Sequence, residues 1–223
     1  YLNASTTFSS TVAFTTPSGN LANVTVRNTT DFDLVALTLS GNLIVTSTGG
    51  SITDDGALAI SGTSSFTTST SDKDITLDVT TNAFARAVTL NTTGTGNAEV
   101  DGGTTQLDIA ASTVGGNLKL TSGNATGVTD SGTVTVGGNL SVINDVSNGD
   151  INMGSLAVNG TIALVTTGSG GDVTVVNDVG LDFASSSIGG DLTATATSGN
   201  ISDRGTLTVT GATNIYLGTN PIL

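Results

Sequence analysis

The stretch LDIAASTVGGNL (residues 107–118) returns 74 positions later as LDFASSSIGGDL (residues 181–192), and it has already appeared 75 positions earlier as FDLVALTLSGNL (residues 32–43). A triple copy at nearly constant offset is the signature of a repeat architecture. Other blocks recur in the same order. ITDDGALAISG (residues 52–62), VTDSGTVTVGG (residues 128–138) and ISDRGTLTVTG (residues 201–211) share an Asp, a Gly, an apolar alternation and a second Gly. FSSTVAF, FARAVTL and VNGTIAL, starting at Phe8, Phe84 and Val158, form a further set. The chain divides into a partial unit at 1–31, full units at 32–106 and 107–180, and a partial unit at 181–223.

Inside each unit the apolar residues alternate with period two: Leu118 and Leu120, Val134 and Val136, Ile162 and Leu164, Val173 and Val175. That is the pattern of short strands with one buried face. Glycines at 116, 138, 160 and 190 stand at turns 22, 22 and 30 residues apart, the size of one coil of a β-solenoid. The expected fold is therefore all-β: a right-handed parallel β-helix with open ends, each 75-residue unit making about three coils. In such a stack like residues fall into ladders about 4.8 Å apart. Asn and Gly at the corners are expected to supply positive φ. A propeller would show aromatic signatures, but only 4% of residues are aromatic and Trp is absent.

Composition narrows function more than it defines it. About three residues in ten are Ser or Thr, 30 are Gly and 36% are hydrophobic, which suits strands and turns and disfavours helices and disorder. A net charge of −13 with five Lys and Arg argues against nucleic acid, since phosphate binding needs clustered cations. With no Cys and no His the chain lacks disulfides, thiol chemistry and the commonest general base and metal ligand. No apolar run reaches the roughly 18 residues of a membrane span, so membrane insertion is not expected. The opening YLNASTTFSS has neither the basic flank nor the apolar stretch of a signal peptide, and the chain reads as an interior piece of a longer one.

Candidate sites are few. Asp54, Asp130 and Asp203 recur at one repeat position, and Asp33, Asp108 and Asp182 at another. Stacked carboxylates are candidate Ca²⁺ ligands, since calcium takes six to eight oxygens; Asp at such a position also caps a turn by accepting backbone N–H groups. Members of one set are a whole unit apart, roughly 14 Å over three coils, too far to share an ion. A catalytic site would break the repeat, and the irregular acids are Asp54 with Asp55, Asp72 with Asp74, Glu99 with Asp101, and Asp145 with Asp150. Their expected place is solvated corners. TGTGNAEVDGG and TGSGGDV lack the Lys and following helix of a phosphate loop and read as coil corners. No catalytic or cofactor-binding residue is assigned.

STVGGNLKLTSG with GVTDSGTVTVGGNLSV, and DKDITLDVTTNAFARAVTL, resemble the repeat arrays of very large secreted bacterial proteins of the filamentous-haemagglutinin type, the two-partner-secretion and autotransporter adhesins. The resemblance spans nearly the whole chain. It implies a β-helical shaft, structural or adhesive, secreted and displayed at the bacterial surface, with no enzymatic activity and no cofactor. It also implies contacts with host or neighbouring-cell glycans and receptors through Thr and Ser faces, and extension by further coils or by end-to-end stacking with other copies. The alternative from the enzyme class is a polysaccharide lyase or tailspike-like hydrolase on the same fold. Absence of His, scarcity of Lys and Arg, and lack of aromatic sugar platforms weigh against it.

Overall fold

The computed structural model describes residues 2–16, 21–218 and 220–221. It is a stack of short strands joined almost entirely in parallel, the one antiparallel pair among the described residues being Thr213–Leu217 with Asn220–Pro221. Following hydrogen-bonded neighbours from Val24–Asn28 to Thr213–Leu217 takes nine turns. Val24 and Thr213 are 189 residues apart, so one turn averages 21 residues.

A ladder of side chains explains why the stack holds. Phe32, Ile52, Ile75, Ala98, Leu118, Leu140 and Ile162 pair in succession, and all seven are buried. On the opposing sheet Val26, Val45, Phe66 and Leu90 do the same. Each of these residues but Ala98, removed from water between the coils above and below, contributes roughly 1.5–3 kcal/mol. The interior is narrow and aliphatic, so the few phenylalanines act as local fillers; Phe66 and Phe84 meet edge to face at 6.3 Å.

The first coils have three faces, the third made by Leu37–Leu39, Leu58–Ile60 and Ala83–Phe84. Beyond Ala98–Asp101 the arrangement changes. Leu107–Ile109 and Ser112–Val114 both join the sheet of Val88–Thr93, through the pairs Val88 with Ile109 and Asn91 with Thr113. Seventy-four residues later Ile162 with Phe183 and Val165 with Ser187 repeat this, but in the other sheet. At the bend the amide of Leu90 bonds the Ser112 hydroxyl at 3.0 Å, and Ser112 in turn donates to the Ala110 carbonyl. Ser186 serves Leu164 and Ala184 in the same way.

The consequence for the repeat is a half-turn. Leu43–Ser47 and Leu192–Ala196 lie in one sheet seven turns apart, while the corresponding Leu118–Ser122 lies in the opposing sheet. Two units make seven turns, so one unit makes three and a half, which refines the expected three. Each unit therefore advances the rod by about 17 Å and turns it to the opposite side.

The corners depart from expectation in a second way. Among non-glycine described residues only Asp72 (φ 62°) and Asn148 (φ 61°) have positive φ. The other corner asparagines act through hydrogen bonds. Asn97 Oδ1 accepts from the Asn117 amide at 2.8 Å, Asn117 Oδ1 from Asn139 at 2.8 Å, and Asn139 Oδ1 from Thr161 at 2.9 Å. The glycine before each Asn is needed because the coils come so close. A Cβ on Gly138 would lie 2.5 Å from Asn117 Oδ1 and 2.9 Å from the Gly116 backbone.

Candidate functional site

The recurring carboxylates are turn caps. Asp130 Oδ1 accepts from the Gly154 amide at 2.8 Å and Oδ2 from Ser155 at 2.7 Å, fixing the chain of the next coil. Asp54 holds the Asp78 amide at 3.1 Å and the Asn82 Nδ2 at 2.7 Å, while Asn82 Oδ1 accepts from the Leu58 amide. Asp54 was expected at a solvated corner, but it is only 5% exposed, because residues 78–82 fold over it. Burial pushes its carboxyl up to about 6; the Asn82 hydrogen bond opposes the shift, and the nearby charge of Asp78 adds to it. Asp203, at the last coil, is exposed and receives no hydrogen bond from a described residue. The half-turn places Asp54 and Asp203 in one sheet and Asp130 in the opposing one. Among the described residues no three acidic side chains converge as metal ligands.

The second set is equally structural. Asp33 accepts from the Thr53 hydroxyl at 3.1 Å, and Asp182 from Ser202 at 3.0 Å and from Arg204 Nε. Asp108 sits at the same repeat position, with its Oδ1 buried and without a hydrogen-bond partner among the described residues.

One charged patch breaks the repeat. Glu99 and Asp101 were expected at a corner; both instead point outward from the strand Ala98–Asp101, and Lys119 on the adjacent strand reaches Glu99 at 2.6 Å. At the corresponding positions the next unit carries Thr174, Val176 and Thr193. The Lys119–Glu99 hydrogen bond raises the lysine's pKa. Burial raises that of Asp101; the Gly103 amide, which donates to Asp101 at 2.7 Å, opposes this, and the charge of Asp145 reinforces it. Asp145 likewise lies within a strand, Leu140–Ser147, not at a turn. Asp72 and Asp74 occupy corners as expected: Thr95 donates its amide and hydroxyl to Asp72, lowering its pKa, and the Asn97 amide donates to Asp74.

Beside the ion pair runs a shallow groove of about 360 Å³, lined by Thr76, Glu99, Lys119, Ser141 and the asparagines 97 and 117. Glu99 and Asp101 are two residues apart on one strand face, about 6.6 Å between α-carbons. Their chemistry is that of a polar surface strip with one neutralised pair and one carboxyl shifted toward the acid form. Sequence spacing alone missed it, because Glu99 and Lys119 are 20 positions apart and meet only through coil register.

The glycine-rich loops are corners as expected, with positive φ at Gly94 (65°) and Gly168 (78°). Comparison with known families finds one match, described as "Repeats of unknown function (DUF5649)", over residues 21–91, 95–154 and 170–223. No curated protein and no solved structure matches.

Proposed function

The chain belongs to this repeat family, and on that premise we propose that it is a length of rigid shaft in a large secreted or surface-displayed bacterial protein, structural or adhesive in role. The observation that carries the reading is the continuous ladder from Phe32 to Ile162, in which each coil finds its stability in its neighbours. Nine turns give a rod on the order of 43 Å. Outward Thr and Ser rows such as Thr53 and Thr76, or Thr174 and Thr193, offer uncharged hydroxyl faces for glycans or receptors on host or neighbouring cells. The filamentous-haemagglutinin resemblance supports the same role and an extracellular location.

A second reading has one observation in its favour. Glu99 and Asp101 form a carboxyl pair interrupting the repeat, and a pair of carboxyl groups is what acid–base cleavage of a polysaccharide requires; Lys119 sits beside Glu99. Incubation with acidic and neutral polysaccharides separates the two. No new reducing or unsaturated ends are expected. Cleavage that disappears in Glu99→Gln and Asp101→Asn would overturn the shaft reading in favour of an enzyme.

A further inference from the structure

At one coil the repeat is interrupted by a loop that lies over a buried acid. Nine positions separate Ile75 from Phe84, whereas seven separate their equivalents Ile151 and Val158. In the later unit the chain runs as the unbroken strand Ile151–Val158, and Asp130 takes the amides of Gly154 and Ser155 directly. In the earlier unit the two extra residues fall within 78–82, which lie between Ile75–Leu77 and Ala83–Phe84 and join no strand pairing. Two side chains attach this loop to the coil below. Asp54 accepts from the Asp78 amide at 3.1 Å and from Asn82 Nδ2 at 2.7 Å, and Asn82 Oδ1 accepts from the Leu58 amide at 2.8 Å. Asp54 and Asn82 are buried, while Asp78, Thr80 and Thr81 on the same loop are exposed.

We propose that residues 78–82 form a strap that is tight in acid and loosens toward neutral pH, with Asp54 as its latch. The charges on the elements packed around the latch are mostly of its own sign. Asp78 stands on the strap, Asp55 follows the latch, Asp33 lies in the coil below, and Asp101 neighbours Asp78 in the coil above. Leu37–Leu39, Leu58–Ile60 and Ala83–Phe84, which make the third face, carry no charge. Of the cations nearby in the stack, Lys119 is taken by Glu99, and Arg86, beyond Ala83–Phe84, is exposed. Ionising Asp54 under the closed strap therefore leaves a carboxylate out of water and opposite the charge of Asp78, whereas under an open strap water solvates it. The closed form holds the proton up to about pH 6 against an ordinary 3.8, so the strap's grip is full below about pH 4 and is lost as pH rises through 6. Opening frees the Leu58 amide and unclasps the third face at this coil, while the ladder from Phe32 to Ile162 stays paired. Loops open in this way at a fraction of the cost of global unfolding. The strap belongs to the coil itself, so the outcome of the polysaccharide assay leaves it untouched.

Amide hydrogen exchange on the whole chain reads the strap directly, through the two amides that Asp54 and Asn82 hold. After correction for the intrinsic pH dependence of exchange, opening at the Asp78 and Leu58 amides is expected to increase by about tenfold or more from pH 4 to pH 7. The Gly154 and Ser155 amides under Asp130, and the Leu118 amide in the ladder, are expected to show no such rise. Asp54→Asn keeps an acceptor oxygen but has no proton to lose, and is expected to abolish the rise at Asp78 and Leu58. Opening of the unmodified chain that does not change with pH, a rise of the same size at Leu118, or a rise that persists in Asp54→Asn overturns the proposal.

Discussion

Two corner ladders have the same geometry and opposite charge habits. Along one, Asn97, Asn117 and Asn139 each pass a side-chain oxygen to the amide of the coil above. Along the other, Asp150, Asp172 and Asp191 do so at 2.9, 2.8 and 2.7 Å, to Asp172, Asp191 and Ala212. The corner thus asks for one acceptor atom and is indifferent to the second. The Asn ladder carries no charge beyond the Asp74 to which Asn97 Nδ2 donates at 3.2 Å, whereas the Asp ladder stacks three carboxylates in successive coils. Much of the chain's acidity at these corners is accordingly a by-product of a backbone requirement and no sign of a binding site.

If the ladders are equivalent in geometry, the glycines in front of them are equally indispensable. Gly138→Val puts a side chain against Asn117 Oδ1, and Gly190→Val puts one 2.1 Å from Asp172 Oδ1. Each is expected to cost about 3 kcal/mol in urea unfolding, since backbone blocks the relief of strain. A loss at only one of the two breaks the equivalence.

A buried carboxylate sharpens the contrast with the exposed ladder. The carboxyl of Asp54 titrates at about 6 in the folded chain against an ordinary 3.8, so the folded state binds its proton more tightly than the unfolded one. The stability it contributes is full below about pH 4 and is lost as pH rises through 6, up to about 3 kcal/mol in all. The melting temperature should therefore fall between pH 4 and pH 6, and Asp54→Asn should flatten that fall. An unchanged slope would show that Asp54 carries none of it.

The smallest effect tests charge alone. Asp172→Asn keeps the acceptor and relieves like-charge repulsion, and is expected to stabilise by about 0.5 kcal/mol at low salt, whereas Asn117→Asp costs less, having no stacked carboxylate on either side. Added salt should erase the gain. A loss of stability in Asp172→Asn would mean the second oxygen has work of its own.

How far the sequence discloses this fold depends on which residue is asked. The alternation at Leu118 and Leu120 or Val134 and Val136 identifies buried positions directly, because a strand has only two sides and all four residues are buried. The triple recurrence identifies which residues are equivalent. It does not reveal how often the chain winds between equivalents, since that depends on where Ser112 and Ser186 let two strands merge into one sheet. The AAS and ASS triplets were the available signal, visible only once the hydroxyl's service to Leu90 and Leu164 is known. The Glu99–Lys119 pair was hidden for the same reason: neighbours across coils are set by turn length, which composition does not encode.

The half-turn gives the repeat a parity. Inserting or deleting one unit lengthens or shortens the rod by about 17 Å and also swings everything beyond it to the opposite azimuth, while a change by two units restores the original bearing. Whatever such a rod carries at its tip is aimed by whether its units are odd or even in number.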